Sequence, residues 1–339
     1  MRSIVKVLLP LSLGGGILYW MYRDFDFGKV EHVLLHDMDW TWMLLSFPFG
    51  ILAQAFRGWR WRQTLEPIGE KVRAATSVNA IFLSYAVSLV IPRVGEFARC
   101  GVLKRYDGVS FPKAIGTVVT ERAIDSLLLL LICVLTVCSQ FTVFDTFFNR
   151  TGMRLDALLA SFTQTGYMVT LVCALAAVLL LCLLFRHLSI YNKVKATIGG
   201  IWQGVVSLKQ VKDKQLFLLF TVGIWLSYFL HYYLTFFCFE STAHLGSDCA
   251  LVTFIVGSMA VIVPTPNGAG PWHFAVKTML ILYGVAADDA LYFVLIVHSV
   301  QTLLIVALGI AAWMALTFTA PRGTAGNDIC SNQNHNDNE

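Results

Sequence analysis

Charge is scarce in this chain. Asp, Glu, Lys and Arg make up 14% of its 339 residues, against 57% hydrophobic residues, and the mean hydropathy is +0.67. That composition excludes an ordinary soluble domain and leaves a membrane protein. The eight cysteines are scattered, mostly inside apolar runs, and none forms a C-x-x-C pair, so they read as buried free thiols and not as a disulfide framework or a metal site. No nucleotide-binding loop is present, which argues against direct ATP hydrolysis. The first apolar run is followed by no A-x-A-like site and by further spans, and it reads as a retained first span. A net charge of +4 is too small to imply a nucleic-acid partner.

A full span needs roughly 20 apolar residues. Six segments approach that length: Ile4–Tyr22, Trp40–Phe56, Ala114–Cys138, Gly166–Phe185, Gln215–Phe239 and Ala290–Phe318. Two more apolar segments are broken in the same way. The first runs Ser77–Val90, shatters at Ile91-Pro92-Arg93-Val94-Gly95-Glu96-Phe97-Ala98-Arg99, and resumes to Lys113. The second runs Cys249–Val263, shatters at Pro264-Thr265-Pro266-Asn267-Gly268-Ala269-Gly270, and resumes from His273 to Val285. Proline removes a backbone donor and glycine tolerates non-helical angles. Non-helical backbone inside a bilayer survives only where protein buries it or it lines a cavity. Paired interruptions in two halves point to a transporter-type binding site.

Charge by loop sets the topology. Residues 23–39 carry two basic against five acidic side chains, residues 57–76 five against two, and residues 186–214 six against one. These counts fit cytoplasmic termini and two broken segments that each return to the side they entered from, the first from the cytoplasm and the second from outside. The expected fold is therefore an all-α polytopic membrane protein with about six full spans and two oppositely oriented re-entrant hairpins, resembling an inverted repeat. If both broken segments crossed fully, Lys104, Arg105 and Lys113 would face outward. Residues 188–214 read as a helix on the cytoplasmic surface, or as a plain linker helix. Residues 1–320 form the membrane domain, and the polar stretch 321–339 reads as a disordered cytoplasmic tail.

Charges inside a bilayer are costly and persist where they pair or serve a pathway. Arg93, Glu96 and Arg99 sit at the first break. Arginine binds phosphate in a bidentate way and stays charged, so these residues suit an anionic headgroup; the alternative is a structural Arg–Glu pair. Glu121 and Asp125 share a helix face at i,i+4, Arg122 can pair with Asp125 at i,i+3, and Glu121 is left to meet Arg93 or Arg99. The alternative there is an ion-pair network that only locks helices. Thr265, Asn267, Gly268 and Gly270 offer amides for a headgroup, or else form a tight turn. Arg57, Arg60 and Arg62 make a basic aromatic edge, either an interfacial anchor or a site of headgroup recruitment. Asp37 and Asp39 resemble a nucleotide-sugar metal motif, but no soluble fold adjoins them. His231 and His298 read as packed histidines, or as proton relays.

Four of these motifs in order resemble the lysylphosphatidylglycerol synthase transmembrane family, also called flippase-like. They are Arg57 with Arg60-Trp61-Arg62, Pro92-Arg93-Val94-Gly95-Glu96 with Arg99, Glu121-Arg122 with Asp125, and Pro264-Thr265-Pro266-Asn267-Gly268-Ala269-Gly270. The family usually has glycine where Asn267 stands. The resemblance runs from about Ile4 to Phe318. It implies a multi-pass protein of the bacterial cytoplasmic membrane, similar to the flippase half of the multiple peptide resistance factor. It does not carry over lysyl transfer, because the chain shows no aminoacyl-transferase domain. The expected activity is movement of an anionic or phosphate-bearing lipid across the bilayer, with no metal and no cofactor. That lipid is a phospholipid, a glycolipid or a polyprenyl-phosphate carrier. The alternatives are a transferase acting on a lipid, aminoacyl or glycosyl, and a membrane scaffold for a partner lipid-modifying enzyme.

Overall fold

In a computed structural model, residues 12, 14–23, 25–140, 199, 202, 206–263 and 265–321 are described, and every regular element among them is a helix. The expected span Gly166–Phe185 and the tail beyond residue 321 lie outside the described residues, as does most of the expected surface helix over 188–214. Nine helices among the described residues position the site. They are α1 (residues 14–22), α2 (Trp40–Leu65), α3 (Ala74–Val90), α4 (Val94–Asp107), α5 (Phe111–Ser139), α6 (Lys214–Tyr233), α7 (Ser247–Ala260), α8 (Pro271–Leu282) and α9 (Ala287–Thr317).

Among the described residues, three stretches are long and apolar enough to cross a bilayer: α5, α6 with its short 3₁₀ extension to Cys238, and α9. Their outer faces show why the chain is so apolar. Leu127, Leu131 and Leu135 on α5, Leu218 and Leu219 on α6, and Leu303 and Trp313 on α9 are exposed. Large exposed apolar faces fit lipid as solvent. Capping sets two of the helix starts. Asp39 accepts from the Thr41 amide at 2.8 Å to open α2, and Asp213 accepts from the Leu216 amide at 2.9 Å to open α6.

Each broken segment folds as two packed arms. α3 and α4 lie against each other, with Gly95 where the backbones meet; a Cβ there would strike the Ser84 carbonyl. α7 and α8 do the same, with Gly257 against the Trp272 indole. The chain turns at Arg93, which is left-handed at φ 66°, and again at Asn267, at φ 51°. The two turns touch, because Arg93 Nη2 donates to the Ile262 carbonyl at 3.1 Å. α1 crosses the second turn closely: a Cβ on Gly270 would lie 2.8 Å from the Gly14 carbonyl oxygen.

α2 runs along α6 and seats α3, so it ties the two broken segments into one body. His231 makes a hydrogen bond to the Ser46 carbonyl at 2.9 Å, and its ring fills the space a side chain at Gly50 would take. One apolar core is built around Met43, Phe236, Val276, Phe293 and Val297, and a second around Trp61, Ile81, Cys100 and Leu103. The charged cluster lies beside the second core.

Candidate functional site

Three helices each bring a short charged motif to one place. On α2, Arg57 and Arg60 are i,i+3 and share a face. On α4, Glu96 and Arg99 do the same. On α5, Glu121 and Asp125 are i,i+4, with Arg122 one position round. Glu121 sits at the centre. Its carboxylate lies 3.1 Å from Arg57 Nη1, 3.4 Å from Arg60 Nη2, 2.9 Å from Arg99 Nη1 and 3.6 Å from Arg122 Nη2. Asp125 takes Arg57 Nη1 at 2.9 Å and Arg60 Nη2 at 2.8 Å. Glu96 faces Arg99 Nη2 at 2.6 Å and Arg122 Nε at 3.1 Å.

Four guanidinium groups thus meet three carboxylates, and one positive charge is left over. Arg57, Arg60, Arg99 and Glu121 are almost wholly buried. Burying such charges costs several kcal/mol per ion, offset here by dense mutual pairing. Aromatic rings supply more of the compensation. The Arg99 guanidinium carbon lies 4.6 Å from the Trp61 ring centre, and that of Arg57 lies 6.0 and 5.7 Å from the Tyr85 and Tyr228 ring centres. Those two tyrosines join through their hydroxyls at 3.1 Å. The compensation is incomplete, since Nε of Arg57 and Nε of Arg99 have no partner.

The cluster opens on one side. A cavity of about 410 Å³ lies between α2, α3, α5, α6, α7 and α9. Arg57, Arg122 and Asp125 form its charged wall, Tyr85, Trp225, Tyr228 and Phe254 its aromatic wall, and Asn267 closes it at the second turn. Arg122 keeps 41% of its side-chain exposure although it lies deep among the helices, because it faces this cavity. A cavity of about 490 Å³ between α2 and the start of α6 contains Arg62 but none of the clustered charges.

The structure therefore brings together seven residues that the sequence marks separately: Arg57, Arg60, Glu96, Arg99, Glu121, Arg122 and Asp125. Glu121 meets Arg99, one of its two expected partners, while Arg93 is exposed at the turn and bonded to Ile262. The arrangement differs from the expected one in two respects. Arg122 turns to Glu96 and Glu121, while Asp125 is taken by α2. Arg57 and Arg60 are not an interfacial edge, being 3% and 1% exposed; only Arg62 faces outward, paired with Glu66 at 2.9 Å. Along a helix, i and i+3 share a face that i+2 and i+5 do not, so one motif divides between interior and surface.

The second turn stands across the cavity. Asn267 donates to Thr302 Oγ1 at 2.8 Å, and its carbonyl contacts His298 Nε2 at 3.1 Å. His298 and His273 face each other with ring centres 4.5 Å apart. Gly268 and Gly270 hold backbone angles at φ 73° and 91°, and Thr265 is buried with its hydroxyl unpaired. None of these residues reaches the arginine cluster by direct contact. No group of three or more His, Cys, Asp or Glu is placed to hold a metal among the described residues.

Two cavity residues escape motif reading, Gln54 and Gln301. A signal existed: each is an uncharged polar residue inside an apolar segment, where polar groups are costly and mark function.

Exposed apolar helices around a buried, arginine-rich cluster that opens into a cavity define a polytopic helical membrane protein with a net positive charge in its interior. More specifically, the chain belongs to the lysylphosphatidylglycerol synthase TM region family, whose match covers residues 7–309. The chain is also similar to the glycosyltransferase AglD of Haloferax volcanii, 28% identical over 95 residues. That stretch is 28% of this chain and only 15% of AglD. No solved structure matches the chain.

Proposed function

We propose that the protein is a lipid transporter of the flippase type, moving an anionic, phosphate-bearing lipid across a cytoplasmic membrane. The observation that carries this reading is the unbalanced positive charge of the buried cluster, presented through Arg57 and Arg122 to an internal cavity. Their guanidinium groups bind the phosphate. Glu96, Glu121 and Asp125 hold the arginines when the site is empty and yield them when the headgroup arrives. Arg60 and Arg99 keep the cluster in place. Arg62 recruits headgroups at the rim.

In this reading the two broken segments are oppositely oriented re-entrant hairpins. Arm length supports it. At 1.5 Å per residue, α3 is about 25 Å long, α4 and α7 about 21 Å and α8 about 18 Å, all short of the roughly 30 Å hydrocarbon core. Their tips meet at Arg93 and Ile262, where two opposing gates would touch. The termini are cytoplasmic, as loop charge indicates.

Reconstitution into liposomes tests the transport reading. Fluorescent anionic lipid should exchange between leaflets faster with the wild type than with Arg122→Gln. Equal rates for the two proteins and for empty vesicles would refute it. The likeness to a relative named a glycosyltransferase favours one other reading, a membrane-embedded part of lipid glycosylation. Sugar transfer by the purified chain, given lipid and donor, would establish that reading instead.

A further inference from the structure

The cavity holds more polar chemistry than a phosphate needs. Away from the arginine cluster, Gln54 Oε1, Gln301 Nε2 and Trp225 Nε1 are buried and have no partner. All three residues line the same cavity, on α2, α9 and α6. Gln54 is 7% exposed, so water at the protein surface does not satisfy it. Buried polar groups are ordinarily paired, and three orphans carried by residues that line one cavity mark the place of a missing partner. The orphans include an amide oxygen that accepts and two N–H groups that donate. Between them stand the faces of Trp225, Tyr228 and Phe254.

Resting on the anionic-lipid reading above, we propose that the cavity takes a polyhydroxylated headgroup, a sugar joined through phosphate to a lipid. The phosphate lies against Arg57 and Arg122. The sugar hydroxyls donate to Gln54 and accept from Gln301 and Trp225, and the ring stacks on the aromatic wall. A sugar offers hydroxyls that both donate and accept, together with an apolar C–H face, and this wall matches all three. A volume of about 410 Å³ lies within the range of small-molecule sites. A bare phosphate would leave the three orphans unpaired. A cationic aminoacyl headgroup would meet two arginines and a single carboxylate, Asp125, that is already held by Arg57 and Arg60.

Binding to the full-length protein in detergent, read by native mass spectrometry, tests this. The probes are polyprenyl phosphoglucose, the sugarless polyprenyl phosphate, phosphatidylglycerol and free glucose phosphate. The sugar-bearing lipid should bind at least tenfold more tightly than any of the others. Gln54→Leu, Gln301→Leu and Trp225→Phe should each weaken it two- to tenfold, leave the sugarless lipid unchanged, and keep the wild-type melting temperature. Trp225→Phe keeps an aromatic face while it removes the donor together with the five-membered ring, so it still tests the contact if a glutamine variant fails to fold. Equal binding of the sugar-bearing and sugarless lipids, both lowered by Arg122→Gln, would overturn the sugar assignment and leave the anionic-lipid reading intact. No effect of Arg122→Gln on any probe would sink the anionic-lipid reading, and this inference with it. Free glucose phosphate binding as tightly as the lipid would overturn the lipid linkage, and phosphatidylglycerol doing so would overturn the sugar.

Discussion

Replacing Glu121 with glutamine should lower stability and raise anion affinity together. Glu121 touches four arginines within 3.6 Å. The substitution keeps the shape and removes the charge, leaving four guanidinium groups with two carboxylates. Breaking a buried ion pair from one side costs about 3–5 kcal/mol. At about 2–4 °C per kcal/mol, the melting temperature should fall by roughly 6–20 °C. The effect on ligand has the opposite sign. A phosphate oxygen on the far side of Arg122 lies about 6 Å from the Glu121 carboxylate if each contact is about 3 Å. At an effective dielectric of about 20, losing that repulsion is worth about 3 kcal/mol, or roughly a hundredfold in affinity. Thermal unfolding in detergent and binding of an anionic lipid read the two effects on one sample. A melting temperature within 2 °C of wild type would refute the claim that Glu121 holds the cluster together. Lower stability with unchanged or weaker lipid binding would refute the competition between carboxylate and phosphate, and would leave the network purely structural.

The other predictions are simpler. Gly95→Ala should cost several kcal/mol, because its Cβ would strike the Ser84 carbonyl, whereas Gly101→Ala has open space and should be neutral or stabilising by about 0.5–1 kcal/mol; comparable melting temperatures for the two would contradict the packing of α3 on α4. Asn267→Ala should be less stable than Asn267→Gly by about 1 kcal/mol. Both lose the bond to Thr302, but only alanine bears the left-handed strain at φ 51°, so equal stabilities would contradict that account. Lys104→Cys should react with an impermeant maleimide only from the cytoplasm, and Asp288→Cys only from outside; labelling of both from one side would break the re-entrant topology.

Much was readable one-dimensionally, because the bilayer imposes strong local rules. Apolar length marks α5, α6 and α9 directly, since a helix alone among lipid must satisfy its backbone internally. The two breaks are written as Pro92-Arg93 and Pro266-Asn267-Gly268, and each lies at a left-handed turn in the structure. The charged motifs announced themselves by their cost. What escaped local reading was partnership. Arg57 looked like a surface residue beside Trp59 and Arg62, and only the seating of α2 on α5 shows that it meets Asp125, 68 positions away. Gln54 and Gln301 lie 247 positions apart in number and line one cavity.

The sequence by itself thus determined the class of the protein, the place of its breaks and the charges that α4 and α5 carry inward, because each follows from transfer cost and backbone angle over a few neighbouring residues. Only the tertiary structure decided that Arg57 and Arg60 are buried, which arginine meets which carboxylate, that Arg93 stands apart, and that the cluster opens into a cavity lined by residues with unpaired polar atoms. Those are long-range contacts, and which helix face meets which is set by packing across the whole body.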